Sequence, residues 1–198
     1  MKAILFPGQG SQSVGMGSEF YNNFSIAKKI FADADSKLGF KLSELILNGP
    51  EEELKLTKFT QPAILTVSFT IFSILKKEFE FNFSDIKFLA GHSLGEYSAL
   101  VCADSLKFLD ALYLVYERGK SMQEAVPVGK GLMIAVLGVS SKDLNNMLAE
   151  FKLSNKKGIC DVANDNAEGQ IILSGDFETV NLFKEYLKKN GKKFIPLK

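Results

Sequence analysis

The pattern of apolar and polar positions changes character near residue 127. Before it, two short apolar runs, at 3–6 (Ala3-Ile4-Leu5-Phe6) and at 87–91, read as strands. Between and after them, apolar residues recur every three or four positions, which predicts helices over about 25–38, 51–57 and 61–79. Gly39 stops the first, Pro50 precedes the second, and Thr60-Gln61-Pro62 is the start signal of the third. Another helix is predicted from Leu106 to Ala125, with Ser105 as its N-cap. The two strands belong in one parallel sheet, with any site at its carboxyl edge.

Beyond residue 127 the alternation shortens. A strand at 132–138 is followed by a helix over about 141–151 and strands near 159–163 and 170–174. Asp176 caps a helix running to Asn190, Gly191 ends it, and a last strand covers 193–197. This β-α-β-β-α-β order is that of a ferredoxin-like module. The chain is therefore read as α/β with two parts, 1–127 and 128–198.

Composition narrows the partners. Lysine and arginine number 24 against 23 aspartate and glutamate, so no field suited to nucleic acid or a membrane surface is implied. Cys102 and Cys160 are too few for a disulfide framework and lack metal-ligand spacing, so they are expected to be reduced and partly buried. No metal site is expected. The apolar run at the start is too short for a signal peptide, and the stretch from Ala63 to Leu75, broken by Thr66, Ser68, Thr70 and Ser73, reads as a buried helix. The expected setting is the cytoplasm.

The chemistry-bearing feature is Gly91-His92-Ser93-Leu94-Gly95, at the end of a strand and the start of a helix. There Ser93 would sit on a tight elbow, with its hydroxyl raised above the sheet at the positive end of the helix. The competing reading is that Ser93-Leu94-Gly95-Glu96 spells an S-x-x-E capping box. A capping box does not call for glycine, whereas Gly91 and Gly95 fit a strand and a helix that must approach closely. A second loop, PGQGSQSVGMG after the first strand, lacks the Lys-Ser/Thr ending of a P-loop and does not fit G-x-G-x-x-G. It reads better as an oxyanion-hole loop than as a phosphate nest.

Counting by three and four from Arg118 reaches Ala111, Leu114, Val115 and Met122, a stripe that would face the interior. A buried guanidinium needs a partner. Either a substrate carboxylate in a bidentate grip or an internal salt bridge, with Glu96 or Glu117, would supply one.

FPGQGSQ at the N-terminus, GHSLGEYSALV at 91–101, ERGKSMQEAVP at 117–127 and VANDNAEGQIILSG at 162–175 together resemble the malonyl-CoA:acyl carrier protein transacylase family. The resemblance implies an α/β-hydrolase-like parallel-sheet large subdomain, here incomplete, with a ferredoxin-like small subdomain inserted in it. It implies an enzyme of fatty acid biosynthesis with no bound cofactor. Malonyl-CoA would be the substrate, acyl carrier protein the partner, and the molecule a monomer. Ser93 would be the nucleophile, the backbone N–H groups of Gln9 and Leu94 the oxyanion hole, and Arg118 the grip on the malonyl carboxylate. Gly91, His92, Gly95 and Met122 would support the elbow and its surroundings.

His92, the single histidine, is Ser93's neighbour and is expected to point elsewhere rather than act as its base. The family's catalytic histidine follows a strand like Lys193–Leu197, so the sequence is expected to stop short of it, to be inactive or strongly impaired as it stands, and to expose apolar surface on its large subdomain. Two other readings stand beside the transferase: an α/β-type serine hydrolase, and a non-catalytic carrier-protein or coenzyme A binding module. The cluster Lys188, Lys189, Lys192 and Lys193 is read as a solvated helix end rather than a dock for an acidic carrier.

Overall fold

The computed structural model describes residues 2–79, 81–127, 129–155 and 157–197. The chain divides into two compact units, Met1–Ala125 and Val126–Lys198.

The first unit runs β1 (Lys2–Phe6), α1 (Ser18–Asn23), α2 (Ser25–Leu38), α3 (Leu42–Asn48), α4 (Glu51–Leu54), α5 (Thr57–Lys77), β2 (Ile86–Gly91), α6 (Leu94–Cys102) and α7 (Phe108–Ala125). β1 and β2 pair in parallel, with Phe6 opposite Gly91 at the carboxyl edge. The core gathers around α5: Leu65 and Ile64 pack with Phe31, Leu42, Ile46, Leu54, Leu94, Leu112 and Val115. α5 is long and apolar enough to cross a membrane by length and composition, yet most of its surface is buried inside this unit. A smaller cluster of Phe6, Phe72, Ala99 and Cys102 lies at the sheet. Leu5 and Phe88 stay 76% and 60% exposed.

Two helix starts differ from the sequence reading. α5 begins at Thr57, so Thr60-Gln61-Pro62 lies inside it rather than starting it. The extended Leu56 precedes the helix, and the Thr60 hydroxyl donates back to the Leu54 carbonyl at 2.6 Å. Pro62 is the sixth residue of α5, past the first turn, and removes the N–H that would bond to the Lys58 carbonyl. α7 begins at Phe108, not Leu106, because the N–H groups of Ser105 and Leu106 both return to the Leu100 carbonyl after the left-handed turn at Asp104. α1 and α3 escaped prediction, being too short to show a period. The buried Asp35 caps α3, accepting from the Ser43 N–H at 2.8 Å and its hydroxyl at 2.6 Å.

The second unit runs β3 (Gly131–Leu137), α8 (Ser141–Ser154), β4 (Cys160–Ala167), β5 (Gln170–Asp176), α9 (Phe177–Lys189) and β6 (Lys193–Pro196). Its sheet order is β4-β5-β3-β6 with every neighbouring pair antiparallel, which is the ferredoxin-like topology. Ile134, Val136, Ile171 and Leu173 on the sheet meet Leu144, Leu148 and Phe151 of α8 and Val180, Phe183 and Leu187 of α9. Ser140 and Asp176 cap the two helices, accepting from the N–H of Asp143 at 3.1 Å and of Thr179 at 2.8 Å. β4 extends four residues past its expected end. Its second half, Asn164 to Ala167, is polar and exposed, so it reads as a loop until two register shifts against β5 carry it into the ladder. Lys188 and Lys189 occupy the last turn of α9, and Lys188 pairs with Glu185 at 2.7 Å.

Both cysteines are free and buried, Cys160 completely. Burial pushes the Cys102 thiol up to about 12 and the Cys160 thiol up to about 11.

Candidate active site

The strand-to-helix elbow forms as the glycines require. A side chain on Gly91 would collide with the backbone of Gly95, and one on Gly95 with the carbonyl of Phe6, so β1, β2 and α6 cross at van der Waals distance. Ser93, pinned at that crossing, takes φ 53° and ψ −106°, a conformation that L-residues rarely adopt. Its side chain makes no cap bond to α6. The capping-box reading therefore fails, and a strained serine presented at a helix N-terminus remains.

The glycine-rich loop after β1 packs against this elbow. A Cβ on Gly8 would meet the His92 carbonyl at 2.8 Å and lie 3.8 Å from its Nδ1, so His92 sits beside the loop. The Ser11 hydroxyl donates to the Gly8 carbonyl at 2.8 Å, and the Gly10 N–H to Gln12 Oε1 at 2.8 Å, which shapes the turn. Gln9 reaches out of it, donating from Nε2 to Thr57 Oγ1 at 3.1 Å. The N–H groups of Gln9 and Leu94 are not spent on backbone carbonyls among the described residues. They are donors of the kind an oxyanion requires.

Arg118 meets the elbow from α7. Its Nη2 donates to Ser93 Oγ at 3.0 Å and its Nη1 to Gln61 Oε1 at 2.6 Å, while the guanidinium lies 5.8 Å from the centre of the Tyr97 ring. The sequence stripe needs correcting here. Ala111 and Val115 are buried, as expected, but Leu114 and Met122 are half exposed, and Arg118 lies at the margin of the core rather than inside it. The buried stripe is rotated toward Leu112 and Gly119 because the backbone of α7 closes on α5 at Gly119, where a Cβ would come 2.6 Å from the Thr57 carbonyl. Among the described residues Arg118 forms no ion pair, with Glu96, Glu117 or any other carboxylate. Its positive charge is held by neutral groups alone.

Gln61, Thr57 and Gly119 were not read as site residues in the sequence. The available signals were an amide inside an otherwise apolar helix and a glycine directly after the arginine. Met122 does join the site, its Sδ accepting from Gln61 Nε2 at 3.3 Å. No group of three or more metal-ligating side chains occurs among the described residues.

Residues 4–195 match the family described as "Acyl transferase domain". The chain belongs to that family. Among relatives, it is 47% identical over 196 residues to the malonyl CoA-acyl carrier protein transacylase of Bacillus subtilis (strain 168), and 40% identical over 196 residues to that of Escherichia coli (strain K12). These alignments take in 98% of this chain, and 60% and 62% of the two relatives. The malonyl CoA-acyl carrier protein transacylase structure from Clostridium perfringens superposes with a TM-score of 0.87 at 39% identity, over 98% of this chain and 60% of that one. A type II PKS acyl-carrier protein in complex with its malonyl-transacylase gives 0.88 at 39% identity, over 98% and 62%. The chain thus spans about three fifths of the length of these acyl transferase relatives. Their folds agree with the α/β-hydrolase-like and ferredoxin-like pair of subdomains expected from the sequence.

Proposed function

We propose that this chain carries the acyl-accepting serine of a malonyl-CoA:acyl carrier protein transacylase of fatty acid biosynthesis. One observation carries the reading: a guanidinium with only neutral partners stands 3.0 Å from the hydroxyl of a strained elbow serine. In the reaction, Ser93 Oγ attacks the thioester carbonyl of malonyl-CoA, and its proton passes through a general base, the family's catalytic histidine, to the departing sulfur. The oxyanion is received by the N–H groups of Gln9 and Leu94, and collapse expels coenzyme A as its thiol, leaving a malonyl ester on Ser93. The phosphopantetheine thiol of acyl carrier protein then attacks the ester, takes the malonyl group as a thioester and restores the serine hydroxyl.

A guanidinium only donates, so Arg118 removes no proton from Ser93. Its part is to leave the hydroxyl for the free carboxylate of the malonyl group. A neutral acyl chain gives it no such exchange, which is the basis of selection for malonyl over acetyl. The names of the relatives support the substrate and the carrier partner. Two free, buried cysteines fit the cytoplasmic setting this reading implies.

Intact mass spectrometry of this chain, and of one extended through the coding sequence to the family's catalytic histidine, after mixing each with malonyl-CoA tests the proposal, with the outcomes read on the folded extended chain. A malonyl adduct that maps to Ser93, disappears in Ser93→Ala and is discharged by a phosphopantetheine thiol is expected. Release of free malonate without any thiol would replace the transferase with a hydrolase. Absence of both adduct and turnover would remove Ser93 from the chemistry.

A further inference from the structure

The first turns of α5 touch every part of the site. Thr57 accepts from Gln9 of the glycine-rich loop, the carbonyl of Thr57 and the Cα of Lys58 pack on Gly119, and Gln61 holds Arg118. Of these, Gln61 is the most constrained: it is fully buried and both ends of its amide are engaged. A guanidinium only donates, so the amide oxygen must face Arg118, and the amide nitrogen then turns to Met122 Sδ one helical turn along α7. A sulfur is a weak acceptor, so the arrangement is governed by the 2.6 Å bond to Arg118.

The neutrality of this acceptor matters. Glutamate and glutamine have nearly the same shape, and a glutamate here would hold the guanidinium just as firmly. It would also neutralise it, in a buried position where the pair would outcompete an incoming carboxylate. An apolar residue of the same length would leave the charge intact but the fork free to swing. Gln61 does both jobs at once.

From this geometry we propose that Gln61 is a positioning and specificity-determining residue: a buried neutral anchor that orients Arg118 toward Ser93 while keeping its charge for the carboxylate of the acyl group. The proposal rests on the transacylase reading above. It predicts that selectivity for a carboxylated acyl group depends on the charge of residue 61, not only on its size.

The test compares Gln61→Glu and Gln61→Met with the parent, each in the protein extended through its coding sequence to the family's catalytic histidine. Ser93 ester formation is followed by intact mass against the concentration of malonyl-CoA and, separately, of acetyl-CoA. The parent is expected to prefer malonyl. Gln61→Glu should lower that preference at least tenfold, with the loss falling on the malonyl-CoA concentration for half-maximal acylation rather than on the limiting rate. Gln61→Met should lower it severalfold, and it decides the matter if the glutamate variant fails to fold. If the parent prefers malonyl and the folded variants keep the same preference, or lose both substrates equally, Gln61 is not a specificity determinant and the transacylase reading stands. A parent with no preference for malonyl overturns the role of Arg118 and that of Gln61 together.

Discussion

Arg118 donates to the hydroxyl of Ser93 across 3.0 Å, although 25 residues and a turn of chain separate them. The bond joins a permanent cation to a weak, neutral acceptor, so a carboxylate brought to the same place would displace the hydroxyl readily. The resting site is thereby filled by a contact that substrate can exchange without leaving a charge unsatisfied.

Replacing Arg118 should therefore alter choice more than chemistry. Arg118→Ala is expected to cut acylation by malonyl-CoA by about tenfold to a hundredfold relative to acetyl-CoA, the lower end reflecting the solvent that reaches the guanidinium. Arg118→Lys should fall between, since an ammonium cannot engage Gln61 and a carboxylate with one rigid fork. Competition between the two thioesters, read by mass, checks both; an unchanged ratio in Arg118→Ala would remove the residue from recognition.

The left-handed backbone at Ser93 stores strain that glycine would release. Ser93→Gly should be more stable than Ser93→Ala by about 1 kcal/mol, the relief of strain exceeding the extra chain entropy of glycine. Neither variant should be acylated. Urea unfolding of the two proteins side by side makes the comparison, and equal midpoints would mean that the elbow is unstrained.

At Gly119 a methyl group would meet the Thr57 carbonyl at 2.6 Å and the Lys58 Cα at 2.8 Å. Backbone atoms cannot rotate aside, so Gly119→Ala should force α7 off α5 at a cost of about 1–3 kcal/mol. Arg118, the preceding residue, would move with it. A lowered melting temperature together with slower malonyl transfer to Ser93 is the expected pair of results; loss of stability alone would separate the helix crossing from the site.

In the second unit, Asp176 carries a pH dependence. The N–H of Ile159, with added bonds from Thr179, holds its carboxyl below the usual aspartate value. Because the folded value lies below the unfolded one, the stabilisation is complete above about pH 4 and is lost as pH falls through the folded value. Asp176→Asn should flatten the acid limb of the stability profile of this unit, measured by denaturant unfolding at a series of pH values. An identical acid limb would mean that other carboxylates set it.

The elbow was legible because its geometry is written locally: two glycines flanking a serine between a strand and a helix require close backbone crossing, and Gly91 and Gly95 supply it. The second unit was legible because its strands and helices alternate in a fixed order and Asp176 marks the start of its last helix. Gln61 was not. Beside Pro62 it reads as part of a helix start, and only tertiary packing, the approach of α7 to the true first turn of α5, reveals that it faces an arginine 57 residues away. The orientation of α7 was misjudged by one position for the same reason. Periodicity finds an apolar face, but the close contact at Gly119 decides how far the helix is turned.

The pairing of β1 with β2 also sets a timetable. Lys2 bonds opposite Ile86, so the first strand leaves the ribosome roughly 80 residues ahead of its neighbour. At ordinary elongation rates that is a wait of roughly 4–16 s, during which Ala3, Ile4, Leu5 and Phe6 form an apolar strand without a partner. The nascent chain passes through an interval of exposure to chaperones, and to other nascent chains, that ends only when the strand bearing the Ser93 elbow is made.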